Sequence, residues 1–322
     1  MNSPIILELG SHSLKVHYQS RTSGIFRKCR FAWDLGHEVY SEGEISRRTT
    51  TKAVETLQEL QRKGVHPHSV LAIATGALRD AENRATFLKI LEKKLGLTVR
   101  VISGREEASL LAQGYLSRST TLPALITDIG GGSLEVVYLG EDRTILRDSL
   151  PLGAIRVFHF GQKIDGTFDE DLVSHWIEDN FREASVILAD EIHCTGGTAK
   201  AIAKFTGNST VTYRELRKLR KQVRKNGPPA DLKPDRARVF FAGLLVLDRL
   251  MEHAKARKLT YLKVPVGRIF LQKYAERLPS RGDPTRRNYL ARDLRITQIY
   301  PRQSVAGLPA DARKGGQENR TR

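Results

Sequence analysis

"LITDIGGGSLEVVYLG", residues 125–140, decides the fold: an apolar run ends in an acid, turns through three glycines and a serine, and becomes apolar again. Strand interiors rarely hold so much glycine, because each one forfeits side-chain packing and backbone order. The stretch therefore reads as a hairpin whose turn must come close to something. Near the N-terminus, "IILELGSHSLKVHYQ" (5–19) lays onto the same pattern, with Ile6 over Ile126, Gly10 over Gly130, Ser13 over Ser133, Leu14 over Leu134, Val16 over Val136 and Tyr18 over Tyr138. Glu8 and Asp128 place a carboxylate at the same point before each turn. The chain carries one device twice, which is the mark of a duplication.

Working outward, strand and helix patterns alternate in both halves. "KAVETLQELQRKGV" (52–65) has helical spacing, and residues 69–104 read as strand, loop, helix, strand. A helix opens after Gly104, the second hairpin covers 124–139, and a further strand lies near 144–150. Helices are expected at about 169–188, 198–206, 213–225 and 235–255, with a short strand at "EIHCTGG" (191–197) and a strand and last helix in "TYLKVPVGRIFLQKYAE" (260–276). The fold class is therefore α/β, two duplicated domains with mixed sheets. The expected organisation is an N-terminal domain over 1–122, a second over 123–278, and a basic tail over 279–322, rich in Arg, Pro and Gly and expected to be largely disordered.

At 322 residues the chain is long enough for two cores, and 40% hydrophobic with 28% charged residues is the balance of an ordinary globular protein. Its longest apolar stretch, "VFFAGLLVL" (239–247), is too short to span a bilayer, and "MNSPIILELG" has no signal-peptide pattern. Cys29 and Cys194 form no CxxC pair or metal cluster, so a reducing, cytoplasmic setting is expected. The net charge of +17 attracts polyanions. No base-stacking aromatic pattern accompanies the basic runs, so nucleic acid is not the expected partner. The run "YRELRKLRKQVRKNGPP" (213–229) reads first as a solvated helix face.

Tight Gly/Ser turns aim backbone N–H groups into one concavity and bind phosphate oxygens. Gly130, Gly131, Gly132 and Ser133 form one such loop, and Ser11, His12 and Ser13 its counterpart. An acid just before the turn repels phosphate unless a cation lies between them, and Mg²⁺ takes one or two carboxylates plus phosphate oxygens. Each turn thus reads as half of a Mg²⁺–phosphate site, with Glu8 and Asp128 as the acids. "GGT" at 196–198 before a helix is either a third anion-binding helix start, from Gly196, Gly197 and Thr198, or a plain turn. "VISGREEASLL" (101–111) ends a strand and opens a helix with two glutamates; either they cap the helix, or one faces a cleft and deprotonates water.

Together these stretches resemble the exopolyphosphatase and guanosine pentaphosphate phosphohydrolase family of the actin, sugar-kinase and heat-shock-ATPase fold superfamily. "LELGSHSLKV" (7–16) matches its D-x-G-S-N-S loop, "ATGALRDAENRATFL" (74–88) its A-T-S-A-x-R-x-A-x-N segment and "VISGREEASLLAQG" (101–114) its I-S-G-x-E-E-A segment. "ITDIGGGSLEVV" (126–137), "LPLGAIR" (150–156) and "CTGGTAKAIA" (194–203) follow in the family's order. The resemblance implies two actin-like (ribonuclease H-like) domains around an interdomain cleft, in the short form without an appended hydrolase-like domain. It further implies Mg²⁺-dependent removal of terminal phosphate from polyphosphate or guanosine pentaphosphate, with Glu107 as the base, Arg79 on phosphate, and Asp128 and Glu135 holding metal or water. Dimers are common among such relatives.

Glu8 stands where the family has aspartate, His12 where it has asparagine, Gly76 where it has a hydroxyl residue, and "VPVGRIFLQKY" (264–274) lacks the family's glutamate. Three readings follow: an active phosphohydrolase, a weak or inactive relative that binds polyphosphate or guanosine tetra/pentaphosphate as a sensor, and a phosphotransferase or other nucleotide-binding relative.

Overall fold

The computed structural model describes residues 5–270 apart from 20–25, 34, 64, 66, 68, 69, 143, 144, 185, 186, 265, 266 and 268. The expected tail at 279–322, and most of the helix expected after residue 264, lie outside the described residues.

The first half opens with a three-stranded antiparallel meander, β1 (Ile5–Leu9), β2 (Ser13–Gln19) and β3 (Phe26–Ala32). Helices α1 (Leu35–Glu42) and α2 (Arg47–Arg62) lead to β4 (Val70–Ala74), α3 (Ala77–Asp80), α4 (Arg84–Leu95) and β5 (Val99–Val101). The sheet runs β3-β2-β1-β4-β5, with β4 parallel to both β1 and β5. The second half repeats the plan. Its meander is β6 (Ala124–Ile129), β7 (Leu134–Leu139) and β8 (Ile145–Leu150), followed by α6 (Ala154–Phe160) and α7 (Glu170–Glu183). Then come β9 (Glu191–Gly196), α8 (Gly197–Thr206), β10 (Thr210–Thr212), α9 (Tyr213–Asn226), α10 (Pro234–His253) and β11 (Lys258–Tyr261). This sheet runs β10-β11-β9-β6-β7-β8, with β9 parallel to β6 and β11, so it is the first sheet's order with one edge strand added.

The duplication extends to register. Leu9 pairs with Leu14 beside the first turn, and Ile129 with Leu134 beside the second. Each turn closes on itself in the same way, Gly10 N donating to Ser13 O at 3.2 Å and Gly130 N to Ser133 O at 3.0 Å.

Helix α5 (Gly104–Leu116) joins the halves. Its Ala108, Leu111, Ala112 and Tyr115 pack on Ile126, Val137 and Leu139 of the second sheet, while Leu110 turns to Ile6, Leu71 and Ile73 of the first. Beyond its charged first turn it is buried on most of its faces, as a helix between two sheets must be.

Five elements were not expected from the sequence: β3, α1, α6 and the short α3 and β10. β3 was not expected because its "FRKCRFA" is basic and largely solvent-exposed. α1 and α6 were not expected because they are short and rich in poor helix formers: α6 is "AIRVFHF", and α1 has Gly36 as its second residue. The helix expected to reach 188 ends at Glu183, where Ala184 turns extended. Part of the basic run is structural, since Arg220 lies 3.1 Å from buried Asp248 and Arg224 lies 2.9 Å from Glu170. Among the described residues no helix is long and apolar enough to cross a membrane.

Leu111 is fully buried between α5 and the second sheet. Leu111→Ala is expected to cost about 2–5 kcal/mol, read as a lowered midpoint in chemical denaturation.

Candidate active site

The two glycine turns meet between the halves. An added Cβ at Gly132 would strike the Tyr40 hydroxyl and crowd Ser11 Oγ and the Gly76 Cα, and one at Gly131 would touch Ser11 Cβ. Gly153 lies under the second turn so closely that a Cβ there would strike the backbone of both Gly131 and Gly132. Each turn is seated on a short helix. Ser11 O accepts from Gly36 N of α1 at 2.7 Å, and Ser11 Oγ accepts from Ala77 N of α3 at 2.9 Å. Gly130 O and Gly131 O accept from Ala154 N and Ile155 N of α6 at 3.0 and 2.9 Å. These bonds use the turns' carbonyls; the amides of Gly131 and Gly132 donate to none of the described residues.

The same register gives the two hairpins opposite electrostatics. Glu8 faces Lys15 across β1 and β2, whereas Asp128 faces Glu135 across β6 and β7. Glu8 Oε1 accepts from Lys15 Nζ, and Glu8 Oε2 lies 3.0 Å from His17 Nε2. Burial would raise the Glu8 carboxyl, but Lys15 and His17 outweigh it and hold the group far below the usual carboxylate range. Asp128 has no hydrogen bond or ion pair among the described residues, and burial pushes it up to about 6, Lys15 pulling against Glu8. Glu135 accepts from Ser149 Oγ at 2.9 Å and is raised well above the ordinary range by burial, then by Glu107 and Asp128.

Glu107 enters this cluster from the first turn of α5. The neighbouring Glu106 closes a capping box with Ser103, its carboxylate accepting from Ser103 N at 2.8 Å. Of the two glutamates, Glu106 therefore caps and Glu107 faces the cleft. Its Oε2 accepts from Arg79 Nη1 at 2.6 Å. Burial lifts its carboxyl to about 7 against the pull of Arg79, with Glu8 and Asp128 adding to the rise.

Other expected residues sit at the margins. The His12 ring turns away to Asp235 at the start of α10, 2.6 Å away, and burial followed by Arg236 and Arg30 pushes its pKa down to about 4. Burial and the two arginines thus favour the neutral ring despite the Asp235 carboxylate beside it. Gly196 and Gly197 form the start of α8, with the Arg236 guanidinium lying over Gly197, and Thr198 is buried against Gly243. Ser13 and Ser133 are buried at the ends of their turns.

The sequence pattern of the Ppx/GppA phosphatase family matches residues 19–266. The chain belongs to the Ppx/GppA phosphatase family. Exopolyphosphatase 1 of Mycobacterium tuberculosis and that of Mycobacterium bovis are each 28% identical to it over 243 residues, covering 67% of this chain and 71% of the relative. Among solved structures, an exopolyphosphatase-like protein superposes with a TM-score of 0.70 at 21% identity, over 85% of this chain and 98% of the other. The Aquifex aeolicus family member gives 0.64 at 22% identity, over 86% and 98%. An exopolyphosphatase from Cytophaga hutchinsonii gives 0.69 at 18% identity, over 85% and 98%. These structures establish the actin-like two-domain fold.

Within this Ppx/GppA chain, several charged residues around the cleft were not singled out from sequence. Lys15 and His17 occupy Glu8; Lys28 and Arg30 of β3 and Arg236 of α10 add positive charge nearby. Alternation in "LKVH" and "RKCR" was the available signal, since residues two apart on a strand share a face. Arg156 was quoted without a role. It bridges the halves, pairing with Asp80 and lying 4.6 Å over the Tyr40 ring.

Glu8→Gln would leave Lys15 and His17 partly buried without their carboxylate. The expected loss is about 2–3 kcal/mol near neutral pH. Because the folded carboxyl titrates far below its unfolded value, that stabilisation is complete above the ordinary glutamate range and disappears as pH falls through the range below it. Denaturation of both proteins across pH tests this: their midpoints should converge in acid.

Proposed function

We propose that this Ppx/GppA family member is a phosphohydrolase that releases terminal phosphate from inorganic polyphosphate, with Glu107 as the base for an attacking water. The observation that carries this reading is the Glu107 carboxylate, half-buried at the cleft end of α5 and bonded to Arg79, with its pKa raised to about 7, where a group can both take and hold a proton. The names of the mycobacterial relatives and the charge of +17 favour a long polyanion over a single nucleotide. Guanosine pentaphosphate is the comparison substrate.

The donor set fits Mg²⁺ on one side of the cleft only. Two like charges face each other at Asp128 and Glu135, an arrangement that is unfavourable unless a cation relieves it, and Asp128 has no partner among the described residues. Mg²⁺ takes only one or two carboxylates from a protein, so a pair of acids is enough for it. Glu8 does not fit, because Lys15 and His17 already satisfy it. Mg²⁺ at Asp128 and Glu135 would neutralise charge on the non-bridging phosphate oxygens.

The chain's own residues do the rest. The Gly131 and Gly132 amides hold the terminal phosphoryl group, and Arg79 pairs with its oxygens. Glu107 takes one proton from water as the water oxygen bonds to phosphorus in line with the breaking P–O bond. The shortened chain leaves as a phosphate anion. A sensor that binds without turnover is the second reading, favoured by one observation: Glu8 is already neutralised within the protein.

Phosphate release from long polyphosphate and from guanosine pentaphosphate, with Mg²⁺, tests both readings. Glu107→Gln is expected to lower kcat about 10²–10⁴-fold. In the wild type, kcat/KM should rise with pH to a plateau, with its acid limb near pH 7, because the base works only when deprotonated. Binding without release in the wild type would establish the sensor. Separately, titration with Mn²⁺ as a paramagnetic stand-in should show binding lost in Asp128→Asn and kept in Glu8→Gln.

A further inference from the structure

Strands β1, β2 and β3 carry a ladder of charges on the face that holds Glu8. In register, Glu8 pairs with Lys15, Lys15 with Arg30, and His17 with Lys28. Residues two apart on a strand share a face, so Lys15 and His17 stand beside Lys28 and Arg30. Like charges directly opposite each other weaken a sheet, and Lys15 against Arg30 is such a pair. From the second half, Lys200 of α8 comes within electrostatic reach of Lys28, and Arg236 of α10 within reach of Arg30.

Two acids answer these cations, and both are already engaged. Glu8 bonds Lys15 and His17, while Asp235 lies 2.6 Å from His12 Nε2 and 3.8 Å from Arg30. Lys28 and Lys200 make no hydrogen bond or ion pair among the described residues. Burial, then Lys15, lowers the Lys28 ammonium from its ordinary value; Glu8 pulls the other way, and Arg30 and Lys200 add to the fall. Arg236 is pushed down to about 10 by burial, then by Arg30. Lys28, Arg30 and Lys200 all reach the surface, so an anion can approach them. A separate observation shows where the row leads. Lys15 and Lys28 both pull down the Asp128 carboxyl, so the row lies within electrostatic reach of the second turn. At that end the Gly131 and Gly132 amides donate to none of the described residues. A chain of phosphates can occupy both places at once.

With the terminal phosphoryl group at Gly131 and Gly132, as the reading above has it, we propose that Lys28, Arg30 and Lys200 hold the phosphates behind it and so select long inorganic polyphosphate over short chains. Such a chain carries negative charge at every phosphate and no bulky substituent, so each cation can meet a phosphate of its own. The two lysines act as point charges that accept any orientation, and the arginine adds a fork. A triphosphate brings few phosphates beyond the terminal one and gains least.

The test is calorimetric titration of the full chain carrying Glu107→Gln, without Mg²⁺, with long polyphosphate and with triphosphate. Adding Lys28→Gln/Lys200→Gln is expected to weaken binding of the long chain about tenfold or more, to flatten its salt dependence and to leave triphosphate unchanged. Lys28→Arg/Lys200→Arg should restore the affinity. Lys218→Gln/Lys221→Gln removes the same charge from the exposed side of α9 and should leave it unchanged. No binding of the long chain, no loss in the first double variant, an equal loss in the α9 variant or an equal loss for triphosphate overturns the proposal. So does a single-stranded oligonucleotide that binds as tightly as polyphosphate and suffers the same loss, which would make the row a nucleic-acid surface. Phosphate release by the wild type with Mg²⁺ decides the hydrolase reading separately. Release together with undiminished binding in the first double variant sinks only the row; binding that depends on Lys28 and Lys200 without release supports the row and sinks only the hydrolase.

Discussion

The two glycine turns approach each other closely, and most of the architecture follows from that approach. Gly132 can lie against Tyr40, Ser11 and Gly76 only because neither Gly132 nor Gly76 carries a side chain, and Gly153 supports the second turn only on the same terms. Side chains at these points would push the halves apart. The turns' carbonyls are satisfied by the starts of α1 and α6, which leaves the amides of Gly131 and Gly132 without an acceptor among the described residues. Buried backbone groups must be paired, so a ligand with oxygen acceptors completes that account. The departure at Gly76 from a hydroxyl residue also falls into place. A Cβ there would collide with Ser11 Oγ, and the residue is held at φ +46, which favours glycine.

Duplication supplied two copies of one hairpin, and their electrostatics diverge at the residue opposite the acid and at the residue two further on, where His17 stands in the first copy and Val137 in the second. Lys15 and Glu135 occupy equivalent places opposite equivalent acids. The first hairpin is consequently self-neutralised, and the second carries two carboxylates whose pKa values rise, chiefly through burial, with Glu8 adding at Asp128 and Glu107 and Asp128 adding at Glu135. In one copy the field has been settled by the protein; in the other it is left for a ligand. This asymmetry also explains why the glutamate at position 8 is tolerated. A carboxylate that bonds a flexible lysine and a histidine does not face the strict octahedral geometry of Mg²⁺.

Much of this was legible in the sequence, for identifiable reasons. The paired hairpins and the long helices announce themselves through periodicity and glycine, and the six ordered motifs identify the family. Short helices were not legible. α6 consists of Ala, Ile, Arg, Val, Phe and His and has little intrinsic helix preference; tertiary contact with the Gly130–Gly131 carbonyls makes it a helix. Glu107 was legible as one of two candidates, and the capping box of Ser103 and Glu106 is what separates them. The roles of Lys15, His17 and Arg156 depend on partners across a sheet or between halves, and no local pattern encodes those. His12 was legible as a departure, but its neutral state depends on Arg30 and Arg236, 18 and 224 residues away along the chain.

The pairing of Glu107 with Arg79 bears on whether the proposed base can act. A carboxylate bonded to an arginine is a weak base, yet burial and the neighbouring acids raise Glu107 despite that bond. A phosphate arriving at Arg79 would draw the guanidinium away and place new negative charge beside the carboxylate, and both effects strengthen its hold on a proton. A cation at Asp128 and Glu135 would act in the opposite sense, by cancelling the carboxylates that help to raise it. Substrate and metal thus pull the same group in opposite directions. With both bound, the two effects would offset each other and leave Glu107 near the proton affinity, suited to neutral pH, that it already has in the free protein.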